Sequence, residues 1–507
     1  MTNLSELFPS GGGAVNQAEF VASGNLSNGQ AVVLNSNGTV TSVSENNGDI
    51  TDYGNYVSST PITNSDNEVW ADWDHSNDVL VVCFEDNTNS NYLTVVAGSV
   101  SGQTISFGTP VTMYSSYQPE PLSVDINHHP TANNGIVCLI MQSQIQSVVA
   151  EYTVTGTTVA LIGTTTRPDM TGSDYFQCLG YNANDTTWYM ISSYYWTGQH
   201  YFWGITASGS GPSISGTYGT HSYTYKEGQM SYDETEQCVL FVGRSTSGTS
   251  HQKYAVIDGF YNPSVSTSGD LGGSYGEATR VAYDANAQRH LVVYNDAATQ
   301  GQDTLKVRVL QISSGGSSVS LGTAYTFYTA TQYGSSQFAA TYDSINKRII
   351  VVWQRNDNNY DLRACVVKII PASNTIGQGT EVTIAPASAY SNTRYYVDIT
   401  FDPTTGRCLP TYINYEPGSV GFSADFIEAT DVFTNGKFIG FTDAAISNGQ
   451  SGKVNMIGGI STNQTGLTVN SKYYLQTDGT VTTANPTSAV FVGQAVSSSI
   501  MNIKELA

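Results

Sequence analysis

Basic residues are scarce in this sequence. Lys and Arg number 19 against 41 Asp and Glu, and the net charge is −22. A surface of that sign repels nucleic acid and anionic membranes, and no local basic patch interrupts it. Neither is expected as a partner. Long apolar runs are missing as well, since no stretch approaches the roughly 18 residues of a membrane helix. The opening MTNLSELFPSGGGAV has neither the basic end nor the apolar run of a secretory signal. Synthesis in a cytoplasm is expected, with export only by lysis or by assembly into something larger.

Metal-binding and disulfide patterns are also lacking. The six cysteines are Cys83, Cys138, Cys178, Cys238, Cys365 and Cys408, none in a CxxC pair. Most sit in apolar runs such as VLVVCF and GIVCLI, where a free thiol serves as a small apolar residue. The seven histidines are scattered, and the adjacent pair His128-His129 would diverge on a strand. No EF-hand or HExxH spacing occurs. No metal or cofactor is expected; calcium on the loop carboxylates and amides of residues 45–52 is the alternative left open.

What is abundant is Gly (49) and Tyr (33), with many Ser, Thr and Asn. This is the composition of short strands joined by turns, with very little helix. One signature recurs: an aromatic or apolar residue, then Asp or Asn, a short polar turn and an apolar strand. Its anchors are Asp74, Asn127, Asn182, Asp233, Asp284, Asp343 and Asp402. Successive anchors are roughly 51 to 59 residues apart, a spacing typical of propeller and solenoid repeats. The side chain at each anchor can accept a backbone N–H two residues on and hold a turn. Repetition at one position favours that folding role over calcium or sugar binding.

Each unit has room for four strands, the first reading EVWADWD, VLVVCFED, YLTVVAGSV and ISFGTPVTM. Strands apolar on both faces suit sheets packed between neighbours. The expected fold is therefore all-β: a seven-bladed β-propeller with a small β domain formed by both termini. The seventh unit lacks a fourth strand, and residues 49–61 are expected to supply it. LNSNGTVT at residue 34 and LQTDGTVT at residue 475 mark two hairpins, read as related pieces of one module split by a large insert, with convergence as the alternative. Their Asn-Gly and Asp-Gly pairs suggest tight turns with two positive φ angles. The expected organisation is a flexible leader (1–16), the N-terminal part of the small domain (17–48), the propeller (49–435) and the C-terminal part (436–507).

The leader ELFPSGGG, the run FVASGNLSNGQAVVLNSNGTV and the ending from GFTDAAISNGQ to SIMNIK resemble virion surface proteins of tailed bacteriophages, particularly phages of marine cyanobacteria. The repeat YDxxxxxxLVVYxD and the run TVVAGSVSGQTISFGTPV fit the same group. The resemblance spans nearly the full length in style and arrangement, and units two to four are irregular within it. It implies a non-enzymatic tail fibre, appendage or capsid-decoration protein on the particle surface, with other virion proteins as partners.

Catalytic signatures are absent. A sialidase-like site needs an arginine cluster, and the inner strands offer only Arg280 and Arg394. A glycosidase needs two carboxylates, and no spacing selects a pair among the 41. One stretch is a ligand candidate: WYMISSYYWTGQHYFWGI at 188–205, a hairpin dense in aromatics. Most of it reads as core. Its tip, Tyr195, Trp196, His200 and Tyr201, is the expected contact with a neutral host glycan, since rings stack on sugars and no arginine clamp for anions is evident.

Overall fold

The structure is a computed structural model. It describes residues 16–504 apart from 36, 44–47, 59–61, 63, 117–118, 120–123, 141–146, 168–174, 195–198, 216–217, 220–224, 246–251, 259–263, 273–277, 298–302, 330–337, 356–360, 386–396, 417–418, 431–437, 477–478 and 485–489. It divides into two compact units, Asn47–Thr430 and the combination of Met1–Asn46 with Asp431–Ala507.

The first unit is a seven-bladed β-propeller. Its inner strands are Asn64–Asp74, Asp125–His128, Tyr175–Asn182, Tyr225–Asp233, Thr279–Asp284, Phe338–Asp343 and Asp398–Asp402, and each heads an antiparallel sheet. Each inner strand touches the next, and the ring closes from the seventh to the first. Blade 7 takes its outer strand from the start of the unit. Asp49–Ser58 pairs with Ser419–Thr430, Asp49 opposite Thr430, so the two ends of the propeller lie side by side. The second strands are buried nearly end to end, as in Val79–Asp86 and Arg348–Gln354, because each blade is covered on both faces.

The expected single fourth strand ISFGTPVTM of blade 1 is two short ones, Thr104–Phe107 and Val111–Tyr114, both pairing with Tyr92–Ser101. The break falls at Gly108, where a side chain would run into the carbonyl of Thr157 in blade 2, and at Pro110, which has no N–H to donate. All six cysteines are free and buried.

The anchors work as turn locks. Oδ1 of Asp233, Asp284 and Asp343 accepts the N–H groups two and three residues on at 2.9–3.0 Å. Asp74, Asn182 and Asp402 do the same at 2.8–3.4 Å. Four residues after each of these anchors stands a positive φ, from Asp78 to Gly406. Blade 2 corrects the sequence reading. Its lock is His129, whose Nδ1 accepts from Thr131 and Ala132 at 3.1 and 2.9 Å. Asn127 sits two residues earlier inside the strand, so the imidazole nitrogen replaces the usual carboxylate oxygen as acceptor. His128 and His129 do diverge: the first reaches Asp74 of blade 1, the second Tyr181 of blade 3.

The second unit consists of two five-stranded sheets with one topology. In the first, copy 1, the order is Gln17–Val21, Ser451–Met456, Phe438–Thr442, Ala31–Leu34, Val40–Ser42. In the second, copy 2, it is Ile460–Ser461, Met501–Ile503, Val490–Ala495, Lys472–Leu475, Val481–Thr482. The strands correspond one to one in chain order. The bulges correspond too: Val32 faces Gly440 and Val33 faces Phe438, as Tyr473 faces Gly493 and Tyr474 faces Phe491. The two GTV hairpins match in register, Leu34 opposite Val40 and Leu475 opposite Val481. They are the same hairpin in two copies, both inside the one compact unit that the two ends of the chain form. Copy 1 is interrupted between Ser42 and Phe438 by the propeller; copy 2 is continuous. The hairpin loops are longer than two residues, with Asn35 N–H bonded to Thr39 O at 2.8 Å, and among their described residues only Gly38 and Gly479 have positive φ.

Of the expected leader, residues 1–15 lie outside the described residues. Asn16 donates its side-chain amide to Ile457 O at 3.2 Å.

Candidate functional site

The inner strands bring one set of side chains to the propeller axis. Counting back from the anchors, Asp125, Gln229 and Asp398 stand four residues before theirs, and Asp72 two before Asp74. Each reaches across to the next blade. Asp398 Oδ2 accepts from Ala71 N–H at 3.0 Å, Asp72 Oδ2 from His128 N–H at 2.6 Å and Asp125 Oδ2 from Leu179 N–H at 2.7 Å. Gln229 Oε1 accepts from Val281 N–H at 2.9 Å. The other oxygen of each carboxylate accepts the following residue's own N–H at 2.8–2.9 Å. Blades 7, 1, 2 and 3 are thus tied by a run of carboxylate bridges. Burial pushes Asp72 up to about 6 and Asp125 up to about 7, with Asp398 raised as well.

A second ring lies one residue before each anchor: Trp73, His128, Tyr181, Tyr232, Tyr283, Tyr342 and Phe401. Several members bond into the locked turn of the preceding blade. Tyr181 Oη lies 2.7 Å from His129 Nε2, Tyr283 Oη 3.0 Å from Thr235 Oγ1, and Tyr342 Oη accepts from Asn286 N–H at 3.3 Å. His128 Nε2 lies 3.4 Å from Asp74 Oδ2. This explains the aromatic residue that precedes the anchors in sequence: it seals one blade to the next.

Two contiguous cavities occupy the axis. The deeper, about 350 Å³, is walled by Asp72, Asp125, Asp398 and Gln229. The outer, about 660 Å³, opens among the inner ends and turns of blades 1 to 4. It exists because small residues, Gly180, Ala183 and Ser231, stand where bulk would fill it. Tyr181 and Tyr232 form part of its wall, with Asp72, Glu234 and Asn127 as acceptors. Asn127 Oδ1 is buried and accepts no hydrogen bond from the described residues. His75 also lines it, held below the usual histidine range by burial.

The sequence-predicted contacts fare differently. Tyr195 and Trp196 lie outside the described residues. His200 and Tyr201 fall in the strand Gln199–Thr206, opposite Ser193 and Ser192, and their side chains lie outside the description as well. Elsewhere in that hairpin Trp188, Tyr189, Phe202 and Trp203 are core, all of them buried. Arg280 donates to its neighbour's carbonyl, Thr279 O, at 3.1 Å, and Arg394 lies outside the described residues. Among the described residues no group of three or more His, Cys, Asp or Glu is placed to hold a metal; residues 45–47 of the calcium candidate are not among them. Sequence reasoning missed Asp72, Asp125 and Asp398. The available signal was an acidic residue inside an otherwise apolar inner strand, repeated in WADWD, VDINH and VDITFD.

The fold defines the chain as a seven-bladed β-propeller with an acceptor-lined axial funnel. No family profile and no curated protein matches its sequence. Among solved structures it is similar to a protein of unknown function from Dyadobacter fermentans, at 12% identity over 75% of this chain and 99% of that one, TM-score 0.41. It is similar to a Lactobacillus plantarum protein at 13% identity over 63% and 86%, TM-score 0.44. It is also similar to the Dos1 propeller at 11% identity over 80% and 95%, TM-score 0.39.

Proposed function

We propose that this protein is a non-enzymatic structural component on the surface of a tailed-phage particle, a tail fibre or appendage that meets a neutral host glycan. One observation carries the reading. The longest segments that resemble phage virion surface proteins, from Phe20 to Val40 and from Gly440 onward, fall in the two copies of the terminal module. The part of the chain with the longest stretches of resemblance is thus a unit of its own, suited to attachment to other virion proteins. The propeller, inserted into it, is the displayed part. Imaging purified particles with a labelled antibody against the propeller tests this. Label on tail or fibre is the expected result; label over the head alone makes it a capsid decoration, and no label removes the reading.

A second reading, a carbohydrate-active enzyme, draws on Asp72 and Asp125, whose raised pKa values would suit a general acid. Against it, each already accepts two backbone N–H groups as a blade-to-blade tie. Reducing ends released from host polysaccharide by repurified protein would favour this alternative.

A further inference from the structure

We propose that the outer funnel over blades 1 to 4 is a binding site for an uncharged pyranose, and that it, rather than the aromatic hairpin, is where this protein holds sugar. The inference rests on the glycan reading above and gives it a place. Its volume, about 660 Å³, falls in the range of small-ligand sites and admits one or two sugar rings. The wall carries strong acceptors in the carboxylates of Asp72 and Glu234, with the amides of Asn127, Asn184 and Gln237 beside them. Carboxylates on the wall favour a ligand that brings O–H groups to donate to them. Tyr181 and Tyr232 line the wall and contribute aromatic area, which suits the C–H side of a pyranose. Acidic sugars are disfavoured. The wall holds two carboxylates and the deeper cavity adds those of Asp125 and Asp398; of the two histidines on the wall, His75 is biased towards its neutral form by burial and His128 is turned to Asp74 and Tyr152.

The test uses the purified full-length chain and ligand-observed NMR with methyl glucoside, methyl galactoside and methyl mannoside, alongside glucuronate and glucosamine. The expected result is binding of at least one neutral glycoside with Kd on the order of millimolar, and binding of glucuronate at least about tenfold weaker. Ala183→Trp, at an exposed turn position on the funnel, should abolish binding. Glu234→Gln, also exposed, should weaken it several-fold with an unchanged melting temperature, and serves where the tryptophan variant does not fold. No neutral binding, glucuronate or glucosamine binding tenfold tighter than any neutral sugar, or binding that neither variant alters overturns the assignment. Neutral binding lost on Trp196→Ala and kept in both funnel variants moves the site to the hairpin tip and leaves the glycan reading standing. Sugar binding by a chain absent from particles upholds the funnel and removes only the virion reading.

Discussion

The two copies of the terminal module share strand order, bulge and hairpin, yet they are not buried alike. The central strand Phe438–Thr442 of copy 1 is buried at every position, whereas its counterpart Val490–Ala495 in copy 2 is half-buried at Val490, Phe491 and Gln494. One face of the copy 1 sheet packs on its own Leu26 and Ile446. The other, through Ala31, Phe438 and Phe441, completes the core of copy 2 with Leu467, Tyr473 and Val492. Copy 1 is thus the middle layer and copy 2 an outer one. The difference teaches that the interrupted copy is the more deeply buried of the two. A 384-residue insertion (47 to 430) at its edge is compatible with that, because the insertion's ends are paired strands, Asp49 opposite Thr430. A folded insert whose termini meet acts as a short loop, and adds little closure entropy of its own.

The largest expected effect breaks both copies equally. A side chain at Gly440 would run into the carbonyl of Asn455, and one at Gly493 into that of Asn502. Gly440→Val and Gly493→Val should each cost about 3 kcal/mol or more, read as loss of the terminal unit's melting transition. If one is tolerated, the copies are not equivalent at the bulge.

The next separates them. Phe438→Ala empties a site between two layers and should cost about 3–5 kcal/mol. Phe491→Ala, at the matching but half-buried position, should cost roughly half as much by chemical denaturation, since less of the ring is removed from packing. Equal costs would deny the layer asymmetry.

A smaller effect marks the insert's own transition, so that it can be told from that of the copies. The folded pKa of Asp125 is raised by burial to about 7, above the usual carboxylate range. The folded state therefore holds this proton more tightly than the unfolded one, and the group's unfavourable contribution grows as pH rises from about 4 through 7. Asp125→Asn removes that dependence. Its destabilisation relative to wild type should be greater at pH 5 than at pH 8, by a few degrees of melting temperature on the order expected for a domain this size. The opposite order, or the same gap at both, would show the carboxylate is not buried as described.

The smallest expected effect sharpens the comparison most. Copy 2 joins Val481–Thr482 to Val490–Ala495 by a short connection, and copy 1 has the propeller at the same place. Replacing residues 44–437 by residues 483–489 should leave the terminal unit's melting almost unchanged, within about 1 kcal/mol. Collapse of that unit would mean that copy 1 depends on its insert.

Much of this was legible because it is local. An anchor and its turn lie within four residues, so Asp233, Asp284 and Asp343 announce their role wherever YD precedes a polar turn and an apolar strand. The missing fourth strand of blade 7 was legible by counting. His129 was not, because its lock uses a ring nitrogen in place of the carboxylate oxygen that the pattern led one to seek. The aromatic hairpin was visible as a cluster, but its density reflects packing of blade 3 against blades 2 and 4, where Trp188 and Tyr189 are buried in separate cores.

By itself the sequence determined the repeat, its number, the turn chemistry and the pair of matching hairpins, since each depends on side chains and backbone a few residues apart. Only the tertiary structure decided that the hairpins belong to two copies, because Val33 finds Phe438 some 400 residues away while Tyr474 finds Phe491 close by. It alone placed Asp72, Asp125 and Asp398 on one axis. The physical reason is the same in both cases. Strand partners and blade neighbours are chosen by burial and by backbone hydrogen bonds that close across the whole chain, and no window of sequence contains both sides of such a bond.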